Sequence, residues 1–268
     1  MDADKKSVHD FWNDASCGER QYLGGHARED YLRHSETRYR LEPEILAFAD
    51  FAHGQGKDVL EIGVGLGADH QKWAECGANL SGVDLTPRAI EHTGRRFAAF
   101  GLESKLQQAD AENLPFADHQ FDIVYSWGVL MCAPDTPRTL REVHRVLKPG
   151  GVAKIMLYQK HSLVTYMLWL RYGPLKGNLV LGLSEATEKY LESPGTKVYS
   201  MRECRDLFAA FASVDITSTL THGDLLTSDA GQRHRGPLLS LARRVWPRRV
   251  IRKFLKEYGL FMMITARK

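Results

Sequence analysis

A chain of 268 residues is long enough for one large α/β domain, or for one domain that carries an insert. Its 43% hydrophobic and 26% charged residues, with a net charge of +3, are ordinary for a globular protein and exclude a disordered, collagen-like or coiled-coil chain. The four cysteines form no CxxC pair, so the sequence predicts neither a metal cluster nor a disulfide framework, and it favours a reducing, cytoplasmic setting.

Apolar segments of strand length alternate with amphipathic segments along most of the chain. Periodicity and Gly or Pro punctuation predict helices over residues 41–52, 68–77, 87–101, 135–151, 161–173 and 200–212. Strands are predicted over residues 57–65, 79–86, 104–110, 121–127, 152–158, 213–221 and 259–267. The stretch 174–198 is predicted to be a loop, and residues 1–56 are predicted to be mostly helical. This alternation predicts a parallel sheet that binds ligands at the carboxyl ends of its strands.

Three glycines at alternate positions follow the first predicted strand. Gly63, Gly65 and Gly67 come directly before a predicted helix. Glycine allows a tight turn and close approach of a ligand to the backbone, and a helix start offers free N–H groups to an anion. The spacing GxGxG differs from the GxGxxG of most dinucleotide loops. Glu61, just before the loop, suits the ammonium of a zwitterionic amino-acid tail better than a diphosphate.

Acidic residues follow the second and third predicted strands. Asp84 lies 17 residues after Gly67, where a carboxylate can accept hydrogen bonds from both ribose hydroxyls of an adenosine. Asp110 and Glu112 flank Ala111 after the third strand, where a carboxylate can accept from an adenine amino group. An alternative role for Asp84 is to cap the helix that begins at residue 87.

Five motifs in this order resemble those of class I S-adenosylmethionine-dependent methyltransferases. They are VLEIGVGLG (59–67), GVDL (82–85), DAENLPF (110–116), FDIVYSWGVL (121–130) and LREVHRVLKPGG (140–151). The nearest similarity is to the small-molecule branch that includes ubiquinone and menaquinone C-methyltransferases, and it spans about residues 57–158. The resemblance implies a Rossmann-like sheet of seven strands with helices on both faces, in which the last strand, 259–267, is antiparallel.

The resemblance also implies a site for S-adenosylmethionine without a metal. By it, the methionine tail would lie against Glu61, Gly63, Gly65 and Gly67. The ribose would be held by Asp84 and Leu85, and the adenine would be flanked by Asp110, Ala111 and Glu112. Ser126 and Trp127 would lie beside the sulfonium. The acceptor would be a small molecule methylated on O, N, S or C.

The chain departs from similar enzymes after SWGVL, where two histidines are frequent. Met131 and Cys132 stand there instead, so no histidine is carried over as a general base. Tyr158 and His161, just past the fifth predicted strand, are the alternative candidates for a catalytic base. Without a base the chain could also be a cofactor-binding scaffold that transfers nothing.

Substrate contacts are expected from the two ends of the chain. Residues 1–56 are interpreted as a helical lid, with Tyr22, Arg38 and Tyr39 as its contacts, and the polar loop 191–200 offers Lys197 and Tyr199. The domain organisation expected is a lid (1–56), a methyltransferase core (57–221), a basic insert that covers the substrate (222–257) and a last core strand (258–268).

The basic insert is the strongest charge asymmetry in the sequence. Residues 233–256 hold nine Lys or Arg and no acid, while the rest of the chain holds 27 basic and 33 acidic residues. The stretch 238–257 could cover the substrate site, lie on an anionic membrane surface, or bind RNA phosphate as part of an RNA or protein methyltransferase. The third possibility lacks any added RNA-binding module, and Pro247 predicts that the basic stretch is not one continuous helix.

Overall fold

The structure is a computed structural model that describes residues 3–228 and 237–268. Its helices are α1 (Ala3–Asp14), α2 (Glu19–Tyr22), α3 (Arg28–Leu41), α4 (Glu44–Ala49), α5 (Ala68–Glu75), α6 (Pro87–Phe100), α7 (Thr136–Val146), α8 (Leu163–Tyr172), α9 (Leu183–Tyr190), α10 (Met201–Leu207), α11 (Pro237–Val245) and α12 (Arg248–Phe254). Its strands are β1 (Asp58–Ile62), β2 (Asn79–Asp84), β3 (Lys105–Gln108), β4 (Phe121–Trp127), β5 (Leu147–Tyr158), β6 (Ser213–Thr219) and β7 (Phe261–Arg267).

All seven strands form one sheet in the order β3-β2-β1-β4-β5-β7-β6. β7 runs antiparallel to both of its neighbours, and the pairs on the other side of the sheet are parallel. The Rossmann-like sheet of seven strands with an antiparallel last strand is therefore confirmed. The strand order reverses between β1 and β4, so the crevice at their carboxyl ends is the expected ligand site.

The centre of the sheet is covered on both faces. Ile123, Val124 and Tyr125 of β4 are all buried, which suits a strand with helices above and below it. On one face α7 buries Leu140 and Val143 one turn apart, so its amphipathic pattern holds the helix against the sheet. This packing fixes the strand ends that carry the glycine loop and Asp84.

Two sequence predictions were wrong in detail. The helix predicted over 135–151 ends at Val146, and Leu147–Gly151 join β5 because the β4–β5 ladder continues past a register shift. Lys148 also fixes this start, since its Nζ lies 2.7 Å from Asp58 Oδ2 and 2.8 Å from Asp122 Oδ2. The loop predicted over 174–198 contains a 3₁₀ turn and α9, whose short buried face gave little periodic signal.

The amino-terminal helices are tied to the core by buried arginine contacts. Arg96 of α6 is fully buried and donates to the Tyr31 carbonyl of α3 at 3.1 Å and to the Leu66 carbonyl at 3.2 Å. Arg38 of α3 forms a two-point ion pair with Asp69 of α5, with distances of 2.9 and 2.7 Å. These contacts hold the predicted helical region over the glycine loop.

The basic insert leaves and rejoins the sheet at one place. Thr219, the last residue of β6, pairs directly with Phe261, the first residue of β7. Between them α11 and α12 are separated at Pro247, as the sequence predicts, while Arg233 and Arg235 lie outside the described residues. Within the part of the chain that the structure describes, no helix has the length and apolar character needed to cross a bilayer.

Candidate functional site

A cavity opens at the carboxyl ends of β1, β2 and β4, where the switch in strand order predicts a ligand site. The glycine loop forms one wall and the face of α1 forms another. The predicted residues among its lining are Glu61, Gly63, Gly65, Gly67, Asp84, Leu85, Asp110, Ala111 and Trp127, together with the predicted lid residue Arg38 and the base candidate Tyr158. Residues from four separate predicted motifs thus border one cavity, which we call the first cavity.

The first two glycines of the loop have different roles. Gly65 has φ +52°, and a Cβ there would meet nothing within 4 Å, so the loop leaves open space on its cavity side. Gly63 has φ +86°, and a Cβ there would lie 2.2 Å from Val129 Cγ2. Packing therefore requires glycine at Gly63, whereas the positive φ favours glycine at Gly65 and the space beside it is open.

Asp84 ties the end of β2 to the glycine loop. One oxygen accepts from the backbone N–H of Thr86 at 3.0 Å, and the other accepts from the Gly65 N–H at 3.2 Å. Burial raises the pKa of this carboxyl, and the backbone N–H groups of Thr86 and Gly65 oppose that rise. Thr86, not Asp84, caps α6, since its hydroxyl accepts from the Ala89 N–H. The alternative capping role of Asp84 is thus replaced by one of orienting Thr86.

Glu61 belongs to a buried hydrogen-bond chain beneath the loop. Its Oε2 lies 2.9 Å from His70 Nδ1, and His70 Nε2 lies 2.7 Å from Ser104 Oγ. Ser104 uses its own proton on the Leu80 carbonyl, so it accepts from His70 Nε2–H. Burial lowers the pKa of His70 to about 3 and raises the pKa of Glu61. Burial therefore disfavours the charged form of each partner.

Asp69, at the start of α5, is held as a carboxylate by three side chains. Besides Arg38, the hydroxyl groups of Tyr125 and Tyr39 donate to it at 2.9 and 3.1 Å. Burial alone would raise its pKa, but the Arg38 charge and these donors hold the pKa below its ordinary value. This cluster rigidifies the turn between the glycine loop and α5.

The amino-terminal helix contacts the predicted adenine end of the cavity. Lys5 Nζ of α1 lies 2.6 Å from Asp110 Oδ2 and 2.7 Å from Glu112 Oε2. Glu112 also accepts from the Asp135 N–H at 2.9 Å and lies behind the cavity wall. One face of α1, with Lys5, Val8 and Trp12 spaced by three and four residues, therefore closes the first cavity on this side.

A second cavity of about 470 Å³ adjoins the first. That volume lies within the range of small-molecule sites. Its walls are mostly apolar and come from α1, α8, the loop after β6 and β7. The two cavities share a wall of six residues, namely Trp12, Ser16, Cys17, Glu42, Tyr158 and Glu192. A ligand in either cavity would therefore lie against the same side chains.

Two hydrogen-bonded pairs place polar groups at the shared wall. Tyr158 donates its hydroxyl to Glu192 Oε2 at 2.9 Å, and burial raises the pKa of the phenol, so Tyr158 keeps its proton. Trp127 Nε1 of the first cavity donates to Glu42 Oε2 at 3.1 Å. Burial raises the pKa of Glu42 to about 7, with the Arg38 charge opposing the rise. Glu42 is therefore poised to exchange a proton near neutral pH.

Some predicted residues lie elsewhere. Ser126 is fully buried and donates to the Ile62 carbonyl at 2.9 Å, behind the first cavity. His161 is exposed, lies 3.1 Å from the Tyr166 hydroxyl and lines neither cavity, so its role as a base stays a prediction. Tyr22 lines the second cavity. Tyr39, Lys197 and Tyr199 line neither, as Tyr39 bonds Asp69 and Lys197 donates to the Ala133 carbonyl.

Lys5, Trp12, Glu42 and Glu192 are among the wall residues that the sequence reasoning did not name. Lys5 and Trp12 share the helical spacing of α1, and that pattern could have indicated one face of a covering helix. Glu192 lies in the loop that was predicted to read the acceptor, although other residues of that loop were named. Nothing local distinguishes Glu42 from an exposed helix-end carboxylate, because its contact with Trp127 spans 85 positions.

Comparison with known proteins matches the region that carries these motifs. A family model described as a methyltransferase domain matches residues 60–155. This region includes β1, the glycine loop, Asp84 and β4, and it lies in the sheet topology described above. Residues 60–155 are therefore similar to a methyltransferase domain family.

The matches to curated relatives cover only part of each relative's length. The chain is 33% identical over 149 residues to a ubiquinone/menaquinone biosynthesis C-methyltransferase of Desulfotalea psychrophila, covering 52% of this chain and 57% of that protein. It is 37% identical over 101 residues to a sterol 4-C-methyltransferase of Caenorhabditis elegans, covering 37% and 30%. The chain spans about half or less of the length of most curated relatives that it matches.

Solved structures extend the likeness of the fold beyond the methyltransferase domain. An S-adenosylmethionine-dependent methyltransferase from Mesorhizobium loti superposes with a TM-score of 0.56 at 18% identity, covering 83% of this chain and 96% of that one. A possible histamine N-methyltransferase from Thermotoga maritima gives 0.52 at 20% identity, covering 88% and 99%. The likeness of fold therefore extends beyond residues 60–155.

Proposed function

We propose that this chain transfers a methyl group from S-adenosylmethionine, bound in the first cavity, to a small-molecule acceptor bound in the second. The observation that carries this proposal is the shared wall of the two cavities. A methyl transfer needs the acceptor atom in line with the departing sulfur, and adjoining cavities with common side chains supply such a meeting point. The matched methyltransferase domain supports the choice of cofactor.

The residues of the first cavity fit this cofactor. In the proposal the amino-acid tail lies on the open side of Gly65 near Glu61, the ribose hydroxyls bond to Asp84, and the adenine lies by Leu85, Asp110 and Ala111. Trp127 faces the reacting end. Ser126 and Glu112 act indirectly, by fixing the Ile62 carbonyl and Lys5. When bound, the cofactor supplies an activated methyl on a sulfonium and leaves as S-adenosylhomocysteine.

Glu42 is proposed as the proton acceptor when the acceptor atom carries a proton. It lines both cavities, and its pKa near 7 allows an ionised fraction at neutral pH without a large loss of basicity. Tyr158 and Glu192 are proposed to orient the acceptor. The Tyr158 hydroxyl donates its single proton to Glu192, so its oxygen and the carboxylate both offer acceptor sites to a donor group on the substrate. Trp127 holds Glu42 in place.

The second cavity favours an acceptor with a large apolar part. Phe11, Tyr22, Met167, Leu168 and Phe261 contribute to its walls, and arginine side chains from α8 and α11 also line it. Burial of rings and alkyl chains against such walls is energetically favourable. That two relatives are described as methyltransferases of quinone biosynthesis and of sterols is consistent with this class of acceptor.

Two measurements test the proposed function. Isothermal titration with S-adenosylhomocysteine measures cofactor binding, and transfer of labelled methyl into a lipid extract and into a polar metabolite pool measures acceptor class. We expect binding together with label in the lipid extract. Binding without any transfer would favour a non-catalytic scaffold, and preference for a nicotinamide or flavin nucleotide would overturn the proposal.

A further inference from the structure

The two helices of the basic insert expose large apolar side chains to solvent. Val250 and Phe254 lie one turn apart on α12 and are 52% and 68% exposed, while the neighbouring Ile251 is buried. Val245, at the end of α11, is 69% exposed. A surface helix usually turns such residues inward, so this outward apolar face needs a partner.

Exposed cations are interspersed with these apolar side chains along the sequence. Arg249, Arg252, Lys253 and Lys256 are all exposed, and the segment 237–256 contains no carboxylate. We define these four cations together with Val245, Val250 and Phe254 as the basic-apolar face. Its charge is complementary to an anionic partner, and its apolar side chains require a partner that also accepts hydrocarbon.

We propose that the basic-apolar face docks the chain onto the surface of an anionic lipid bilayer. A bilayer satisfies both requirements, because the apolar side chains enter the boundary between headgroups and acyl chains while the cations meet lipid phosphates. Nucleic acid would use the cations alone and would leave Val250 and Phe254 in water. The exposed aliphatic and aromatic side chains therefore favour lipid over RNA.

The segment that carries this face contacts residues that line the second cavity, so this inference rests in part on the proposed function. Arg248 of α12 donates to the Leu225 and Leu226 carbonyls at 2.9 and 3.1 Å, and Leu226 lines the cavity. Trp246 donates to the Asp224 carbonyl at 2.9 Å. The membrane-facing helices thus hold one wall of the acceptor site.

α8 forms another wall of the second cavity, and it also exposes an apolar side chain. α8 lines the second cavity through Met167, Leu168 and Arg171 and exposes Leu170. The chain that follows exposes Leu175, Leu179 and Val180. Both segments that flank the acceptor cavity therefore present apolar side chains outward, and an apolar acceptor could pass between them from the bilayer.

Vesicle sedimentation with the full chain tests this proposal. Vesicles of phosphatidylcholine alone are compared with vesicles that contain phosphatidylglycerol at about one third. We expect binding to the anionic vesicles only, weakened by high salt. The double variant Val250→Asp/Phe254→Asp and the double variant Arg249→Glu/Lys253→Glu should each lower the partition coefficient about tenfold or more.

Matched controls separate surface effects from unfolding. Leu46→Asp changes an apolar side chain of α4 that is 45% exposed, and Arg205→Glu reverses an exposed charge on α10; both should bind vesicles like the unmodified chain. Every variant is also titrated with S-adenosylhomocysteine. Lost vesicle binding with retained titration supports the proposal independently of whether the transfer reaction occurs.

Three outcomes would overturn the proposal. Absence of binding to anionic vesicles is one, and equal binding by all variants is another. The third is tight, salt-sensitive binding to a structured RNA that Arg249→Glu/Lys253→Glu removes and Val250→Asp/Phe254→Asp leaves unchanged, since this would assign the cations to phosphate recognition.

Discussion

The Tyr158 hydroxyl donates a hydrogen bond to Glu192 Oε2 at 2.9 Å in the wall shared by the two cavities. Tyr158 ends β5, whereas Glu192 lies after α9, so this contact joins the rigid sheet to a loop of the acceptor side. Because Tyr158 belongs to the sheet, this hydrogen bond holds the Glu192 loop against a fixed strand end. This is the relationship on which the proposed meeting of cofactor and acceptor depends.

Replacing Asp84 should weaken cofactor binding without unfolding the chain. Asp84→Ala removes the acceptor proposed for the ribose and frees the Gly65 N–H, which should cost about 1–3 kcal/mol of binding free energy. Isothermal titration with S-adenosylhomocysteine measures the change. Asp215→Ala, on the exposed side of β6, is the control, and native affinity of Asp84→Ala would contradict the ribose role.

Glu42 should determine the pH profile of transfer. Its pKa of about 7 means that the ionised, proton-accepting fraction grows as pH rises through 7, so turnover should rise over the same range. Glu42→Gln should abolish this rise and lower turnover by about 10²-fold or more, with cofactor affinity retained. An unchanged profile in Glu42→Gln would exclude it as the proton acceptor.

Lys5 should contribute to closure of the first cavity. Lys5→Met leaves Asp110 and the buried Glu112 without their cation and loosens α1, so S-adenosylhomocysteine should dissociate about tenfold faster in stopped-flow measurements. Lys6→Met is the matched control, because Lys6 is exposed and pairs along α1 with Asp10. Equal dissociation rates for the two variants would remove α1 from the proposed lid.

Two neighbouring glycines should respond differently to alanine. Gly65→Ala adds a methyl to the open cavity side and strains a positive φ by about 1–2 kcal/mol, so it should reduce cofactor affinity more than stability. Gly63→Ala drives a Cβ into Val129 and should reduce stability more. Urea unfolding and titration of both variants check this, and the reverse ranking would contradict the assigned roles.

His34 should make the fold sensitive to acid. It is buried and accepts a hydrogen bond at Nδ1 from Arg96, and burial, with the Arg96 charge, lowers its pKa from 6.5 to about 3. Between those values the unfolded chain binds a proton that the folded chain does not, so stability present above pH 6.5 is lost as pH falls toward 3.

Thermal unfolding at pH 7.5 and pH 5.0 measures this effect. His34→Asn keeps an acceptor oxygen for Arg96 but cannot be protonated, so its midpoint should fall less between the two pH values than that of the unmodified chain. The exposed His161→Asn is the control. Identical pH dependence in His34→Asn would show that another group governs acid unfolding.

The parts of the site that the sequence predicts are those encoded locally. The glycine loop follows directly from β1, and Asp84 follows from the end of β2, so a short run of residues is enough to predict each of them. Glu42 and Glu192 gave no such signal, because they reach the wall through tertiary packing of α3 and of the chain after α9. His161 shows the converse, since its position just past β5 suggested the cavity but its side chain lies at the surface.

The pairing of Thr219 with Phe261 has a consequence for how such a chain can change. Residues 220–260 leave β6 and rejoin β7 at two positions that pair with each other. Their length and composition can therefore change without shifting the register of the sheet. A replacement of residues 220–260 would therefore alter the wall of the second cavity, while the glycine loop, three strands away from β7, would stay as it is.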